Sequence, residues 1–190
     1  QTLDYVQSLY EKKLCTYPRT DSRYLTDDMA SGIHAVVDYS VGICGLAAPA
    51  VVLCEQICNS KKVSDHHAII PTAVTGKSDI NALPTGEREI LGLIAKQVLR
   101  AVSENYRYRE TTVVISCVGK TFTAKGKTIL ATGWKAYNEK EQIDKVIPEL
   151  ADGDELAVAS SEIKEGKTTP PAHFTEDSLL SAMEVAGAKE

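Results

Sequence analysis

Residues 14–25 read LCTYPRTDSRYL, and they place Tyr17 among small, polar and basic side chains. A phenol can attack phosphorus, but a pKa of about 10 means that it needs help near neutral pH. Pro18 fixes its own φ and favours an extended conformation at Tyr17. Side chains two residues apart in an extended segment project to the same side. We therefore predict that Tyr17 and Arg19 reach one phosphate, where the guanidinium neutralises charge on the non-bridging oxygens.

Four polar residues follow this pair: Thr20, Asp21, Ser22 and Arg23. Thr20, Ser22 and Arg23 suit contacts to a nucleic-acid backbone, since hydroxyls and guanidinium groups donate to phosphate oxygens. The hydroxyls and the Asp21 carboxylate are equally suited to capping a short turn. The Asp21 carboxylate has a third interpretation, which is to orient Arg19. The sequence leaves these alternatives open.

A second polar run, DHHAIIPT at residues 65–72, carries two adjacent histidines. Pro71 and the isoleucine pair favour an extended segment over a helix. Neighbouring residues in an extended chain face opposite ways, so His66 and His67 cannot both enter one site without a local bend. A metal site is a further interpretation of the two histidines, although no third ligand stands nearby in the sequence.

Composition predicts a globular protein without a membrane-spanning segment. The 190 residues are 43% hydrophobic and 25% charged, which is enough for a core. The net charge of −5 argues against nucleic-acid binding through bulk positive charge. It leaves open a local binding groove lined by Arg19, Arg23, Lys61 and Lys62. The five cysteines lack the paired spacing of a zinc site, so free thiols are expected.

Periodicity predicts a helical region followed by a β region. Helices are expected at 2–13, 26–39, 50–58, 85–105 and 175–187. Strands are expected at 111–118, 121–124, 127–137 and 155–163, with a turn at 125–127. Trp134, the only tryptophan, is expected in a core or interface, with stacking on a DNA base as the lesser alternative.

The runs YPRTDSRYL (17–25) and DHHAIIPT (65–72) together resemble the signature of type IA DNA topoisomerases. The topoisomerase III branch resembles them most, because its members carry the double histidine and the proline after the tyrosine. Residues 2–11 and 170–189 resemble the same family. The likeness implies an α+β fold: a mainly helical domain (1–107), likened to the winged-helix fold of the catabolite activator protein, then part of an antiparallel β arch domain (108–169). Residues 170–190 would begin a further helical region.

The resemblance also implies a chemistry and a set of roles. Tyr17 would cut single-stranded DNA by transesterification, giving a 5′-phosphotyrosine and a free 3′-hydroxyl that reseals the break after strand passage, without ATP. Arg19 would stabilise the phosphate, and His66 would match the active-site histidine near the scissile bond. The remaining candidates for DNA contact are His67, Thr20, Asp21, Ser22 and Arg23.

The family holds Mg²⁺ on an acidic cluster in an N-terminal toprim domain, and no such pattern occurs in this chain. We therefore expect a piece of a longer enzyme that binds no metal by itself and relaxes no DNA alone. Its expected partners are single-stranded DNA and the remaining domains, in the cytoplasm at the nucleoid, and the sequence leaves open whether a helicase takes part. Two other hypotheses are a helix-turn-helix DNA-binding module without chemistry and a protein-interaction domain, which the acidic charge favours.

Overall fold

The computed structural model describes residues 1–138 and 145–187. It divides the chain into two compact units, Gln1–Pro148 and Glu149–Glu190. The described residues form four α-helices, several short 3-10 turns and one two-stranded antiparallel sheet, which confirms the α+β class. The predicted domain limits at 107/108 and 169/170 stay a prediction.

The α-helices are α1 (Thr2–Glu11), α2 (Ile33–Cys44), α3 (Thr85–Ala101) and α4 (Glu176–Gly187). The α3 helix organises the first unit, as its periodicity predicted. Leu91, Ala95, Val98 and Leu99 recur every three or four residues along one face and are buried. Each fully buried leucine contributes roughly 1.5–3 kcal/mol relative to an exposed one.

Two apolar clusters hold the two ends of residues 14–25. Leu14 and Cys15 are buried with side chains of α1 and α3 in the first cluster. Leu25 is buried in the second cluster, with side chains of α2 and α3. The polar residues between these anchors are mostly half-buried or exposed. The stretch is therefore fixed at both ends while its polar middle stays accessible.

One predicted helix has different bounds in the structure, and another is wrong. Residues 27–32 form a 3-10 helix, and α2 begins only at Ile33 and continues to Cys44. Residues 50–58 contain a single 3-10 turn, Cys54–Gln56. The chain there pairs with Leu25 instead: Leu25 N–H donates to Ile57 O at 2.8 Å, and Asn59 N–H donates to Leu25 O at 2.9 Å. Tertiary hydrogen bonds thus override a helical pattern.

The predicted β region is one long hairpin, so three shorter strands were the wrong prediction. Strand β1 (Arg107–Cys117) pairs with β2 (Lys120–Ala131), and the turn between them lies at Val118 and Gly119, both with positive φ. The expected turn at 125–127 lies inside β2. Gly126 is small because the chain passes close by: a Cβ there would lie 2.6 Å from Ile147 Cγ1. The segment 133–137, expected to be a strand, is a 3-10 helix.

The second unit contains α4 but not the predicted strand at 155–163. In the described residues 149–175, the backbone adopts no helix or strand, and Leu156, Val158 and Ile163 are exposed. A strand needs a neighbour for its ladder, and the described chain places none beside this segment. The start of α4 is close to the prediction, since the Thr175 hydroxyl accepts from Ser178 N–H at 3.2 Å.

A buried carboxylate joins α1 to α3. Glu87 is 6% exposed, and it accepts hydrogen bonds from Lys12 Nζ and from Ser8 Oγ at 2.9 Å. The hydrogen bond from Lys12 is the main cause that holds the Glu87 pKa below its ordinary value of 4.5. Because α1 leads directly into residues 14–25, this contact helps to fix where that stretch begins.

We expect Glu87→Gln to lower the free energy of unfolding by about 1 kcal/mol near neutral pH, a modest figure because Lys12 is partly exposed. A carboxyl whose folded pKa is depressed stabilises the fold above its unfolded pKa, and this stability is lost as pH falls through the folded pKa. Urea unfolding at several pH values should therefore show a constant difference from wild type above about pH 5 and a shrinking one below about pH 4.5. Glu89→Gln, an exposed carboxylate on the same helix, is the control; a difference that grows on acidification would contradict the assignment.

Candidate active site

The stretch that carries Tyr17 is aligned against the histidine run by main-chain hydrogen bonds. The chain leaves α1 through Lys13, whose φ is +62°. Cys15 then forms an antiparallel bridge with Pro71. Thr16 N–H donates to Ile70 O at 3.0 Å, and Thr72 N–H donates to Leu14 O at 3.1 Å. The two runs that the sequence marked as unusual thus lie side by side.

Threonine hydroxyls make further links between the runs. Thr16 Oγ1 donates to Ala68 O at 3.2 Å and accepts from Ile70 N–H at 3.0 Å. Thr20 Oγ1 donates to His66 O at 2.7 Å and accepts from Ser22 N–H at 3.0 Å. Hydroxyls that both donate and accept fix two backbones against one another. Tyr17 lies between these two threonines.

The Tyr17 ring is half-buried between two other rings. The His66 ring centroid lies 4.4 Å away at an interplanar angle of 48°, and Tyr10 packs edge-to-face at 5.3 Å and 79°. An open groove of about 540 Å³ adjoins the ring, and its lining is mixed aromatic and polar. The lining residues are Tyr10, Glu11, Lys13, Cys15, Thr16, Tyr17, His67 and Thr72. The nucleophile candidate is therefore accessible from solvent and is held in place by ring contacts.

The two histidines occupy different positions around Tyr17. His66 is exposed and contacts the Tyr17 ring, whereas His67 is half-buried and lines the groove. His67 Nδ1 lies 2.8 Å from Ala68 O. A carbonyl oxygen only accepts, so Nδ1 carries a proton and Nε2 is the nitrogen left for a ligand. The backbone bends at residues 64–66, which agrees with the local bend that two adjacent histidines need to face one site.

Neither Arg19 nor Arg23 lines the groove beside Tyr17. Arg19 is exposed, and it is not among the residues that line the groove beside the tyrosine. Arg23 is exposed and lines a separate, largely apolar groove together with Thr20 and Ser22. No ion pair holds either guanidinium in the described part of the chain, so both charges are available to an anion. Joint contact of Tyr17 and Arg19 with one phosphate stays a prediction.

The capping interpretation accounts for much of residues 20–22. Ser22 Oγ donates to Lys62 O at 2.8 Å and accepts from Tyr24 N–H at 3.1 Å. The Asp21 carboxylate accepts from Ser64 Oγ at 3.2 Å. These side chains thus bind other parts of the stretch and its neighbours. Their contact with DNA remains a prediction.

Cys15, two residues from Tyr17, could compete as a nucleophile, but its surroundings keep it inert. It is 2% exposed, and its thiol points to Val6 O at 3.8 Å. Burial raises the pKa of the thiol to about 11. The thiolate is the reactive form, and it is scarce at neutral pH.

All five cysteines are free, as expected.

Sequence reasoning missed two contacts of this site. Tyr10 is seven residues before Tyr17, and only the turn at Lys13 brings their rings together. Lys62 donates to the Tyr24 hydroxyl at 3.0 Å and lies over that ring, 4.5 Å from its centroid. The pairing of Leu25 with residues 57–59 brings Lys62 near. Neither contact has a local signal that could have found it.

The described residues provide no metal centre, since nowhere in them do three or more histidine, cysteine or acidic side chains cluster closely enough to hold an ion. Binding of Mg²⁺ outside this chain stays a prediction. The part of the chain that the structure describes also contains no helix long and apolar enough to cross a bilayer.

Comparison with known proteins decides the family. The family model described as DNA topoisomerase matches residues 1–188. The chain belongs to the type IA DNA topoisomerases. This match covers both polar runs and the hairpin, so the resemblance predicted from the two motifs is confirmed.

The similar proteins belong to the topoisomerase III branch, as predicted. It is 41% identical over 198 residues to DNA topoisomerase 3 of Bacillus licheniformis, 39% over 199 residues to that of Bacillus subtilis, and 40% over 192 residues to that of Staphylococcus saprophyticus. Each alignment covers 97% of this chain and 27% of the relative. The chain therefore spans about a quarter of the length of the curated relatives that it matches.

Proposed function

We propose that this chain carries the nucleophile of a type IA DNA topoisomerase, with Tyr17 attacking a backbone phosphorus of single-stranded DNA. The observation that carries the proposal is the Tyr17 ring, which is held between Tyr10 and His66 beside an open groove. The attack would form a 5′-phosphotyrosine ester and release the 3′-hydroxyl. The same hydroxyl would reverse the step after strand passage, so the ester conserves the energy of the broken bond.

The other side chains would act on charge and position. Arg19 would donate to the non-bridging oxygens as negative charge develops there. His66, in contact with the Tyr17 ring, would add positive charge when protonated or hydrogen-bond when neutral. His67, Thr20, Asp21, Ser22 and Arg23 would position the strand through its phosphates. The buried Cys15 thiol is excluded from this chemistry by its raised pKa.

The wider setting is also proposed. The helical part would share the winged-helix fold of the catabolite activator protein, and residues 108–169 would belong to the β arch. Mg²⁺ would bind a toprim domain outside these residues. The activity would operate in the cytoplasm at the nucleoid, on single-stranded DNA, together with the remaining domains.

A trapping experiment tests this proposal. The full-length polypeptide that carries this chain is incubated with Mg²⁺ and a 5′-labelled or 3′-labelled single-stranded oligonucleotide, then quenched with detergent. We expect label to stay with protein only when it lies on the 3′ side of the cut, and peptide mapping should place it on Tyr17. The 190-residue chain alone should form no adduct and relax no plasmid. An adduct on any other residue, or relaxation by the chain alone, would contradict the proposal.

A further inference from the structure

Six side chains outside the Tyr17 site alternate between cation and aromatic ring. They lie on α3, at the base of the hairpin and on the 3-10 turn that follows it. In spatial order they are Arg100, Trp134, Lys135, Tyr106, Lys127 and Tyr108, and we call this set the cation–aromatic ladder.

Distances within the ladder are those of cation–π contacts. Arg100 Cζ lies 5.1 Å from the Trp134 ring centroid. Lys135 Nζ lies 3.9 Å from the Tyr106 centroid and 5.6 Å from that of Trp134. Lys127 Nζ lies 3.8 Å from Tyr108 and 4.8 Å from Tyr106. Each lysine is thus shared between two rings, which makes the set continuous.

The two tyrosine rings pack against each other at the base of the hairpin. Tyr106 immediately precedes β1 and Tyr108 lies within it, and their ring centroids are 5.2 Å apart. Lys127 is opposite Glu110 in the register of the hairpin. Its ammonium nevertheless lies over the two tyrosine rings, and no ion pair joins it to Glu110 in the described residues.

Within the described residues, no carboxylate pairs with the cations of the ladder. Among residues 1–138 and 145–187, no acidic side chain forms an ion pair with Arg100, Lys127 or Lys135. Arg100 Nε is also buried without a hydrogen-bond partner. A buried donor without a partner is rare and calls for a ligand or a water. Ring contacts orient these cations but leave them free to bind an anion.

The ladder is also open to solvent. Tyr108 is 46% exposed, and Tyr106, Trp134 and both lysines are half-buried. The whole protein carries a net charge of −5, so three cations that lack an ion pair within the described residues are a local feature and not a consequence of a basic surface. Flat rings next to free cations can contact bases and phosphates of one strand together.

We infer that the cation–aromatic ladder is a second binding surface for single-stranded DNA, separate from the Tyr17 groove and without a part in the chemistry. Bases would stack on the exposed rings while phosphates bind Lys127, Lys135 and Arg100. Duplex DNA presents phosphates but keeps its bases stacked inside. It could therefore bind the cations of the ladder but could not stack bases on its rings. The inference rests on the proposed function for the identity of the substrate, and it adds a holding site to it.

Trp134 provides a direct probe, because it is the only tryptophan in the 190-residue chain. Titration with an oligodeoxythymidylate of about 12 nucleotides should quench its fluorescence, and the affinity should fall as salt rises. A duplex of the same length should quench much less. Absent quenching, or equal quenching by the duplex, would overturn the inference.

Matched variants separate the ladder from its surroundings. Tyr108→Ala should weaken oligonucleotide binding about tenfold, the loss of one base stack, whereas Phe122→Ala, an exposed ring farther along the hairpin, should change it less than about twofold. Replacing both Lys127 and Lys135 by Gln should reduce the slope of log K against log salt by about 1.4, or 0.7 for each phosphate contact. Replacing Lys120 and Lys125 by Gln removes equal charge from the hairpin outside the ladder and should leave the slope unchanged. Equal effects in ladder and control pairs would overturn the inference.

The two proposals can fail separately. Tyr17→Phe should leave the quenching of Trp134 unchanged, because the phenol oxygen has no part in the ladder. Quenching without an adduct at Tyr17 would contradict the proposed reaction and support the ladder. An adduct at Tyr17 without quenching would contradict the ladder and support the reaction.

Discussion

Tyr17→Phe is expected to abolish covalent adduct formation by the full-length enzyme, a loss of at least about 10³-fold in the cleavage rate. The substitution removes a single oxygen atom, the one that we propose attacks phosphorus. The phenylalanine ring keeps the contacts of the tyrosine ring with Tyr10 and His66. Single-strand binding should therefore stay within about twofold of wild type, since phosphate contacts dominate it. Detergent-trapped adduct on a labelled oligonucleotide measures the first effect, and a filter-binding titration measures the second.

Tyr10→Phe is the matched control for this substitution. Its ring packs against Tyr17 and lines the same groove, and the change removes the same kind of hydroxyl. We expect adduct formation to fall by less than about fivefold, because the ring contact persists. A Tyr17→Phe enzyme that still forms an adduct would refute Tyr17 as nucleophile. If that residual adduct then disappeared on adding Tyr10→Phe, the nucleophile would be Tyr10.

Local sequence predicted where α1 ends but not which residues lie beside the Tyr17 stretch. Pro18 and the polar residues after it indicate that α1 must end before them, and the structure agrees. The contact with His66 depends on an antiparallel bridge between Cys15 and Pro71, which are 56 residues apart. Nothing in either run specifies that pairing by itself. The resemblance to a family connected the two runs, and the hydroxyls of Thr16 and Thr20 show how the connection is made.

Fold prediction failed where distant backbone competed with local preference. The helix expected at 50–58 is lost because residues 57–59 pair with Leu25. Gly126 was expected in a turn, but it lies inside β2. A larger residue there would clash with Ile147, which packs against β2. By contrast, α3 has a strong apolar period over 17 residues and agrees with its prediction within a few positions. A long, periodic apolar pattern is enough to predict an element, whereas single glycines and short apolar runs are not.

Leu91→Ala is expected to lower the free energy of unfolding by about 2–5 kcal/mol. Leu91 is fully buried in the cluster that also contains Leu9, Leu14 and Cys15, so truncation leaves a cavity under the start of the Tyr17 stretch. Leu93→Ala on the same helix is the control, because that side chain is 56% exposed and should cost less than about 0.5 kcal/mol beyond helix propensity. Urea unfolding of the two variants gives the comparison.

The position of that cavity allows a sharper test than stability alone. Leu14 and Cys15 anchor one end of the stretch, and Leu25, in the other cluster, anchors its far end. Leu91→Ala should therefore lower adduct formation even at a temperature where the variant is fully folded. Leu99→Ala, equally buried but packed in the cluster around Leu25, tests the other anchor. If either variant, while folded, cleaves DNA at the wild-type rate, then the corresponding cluster supports the fold without positioning Tyr17.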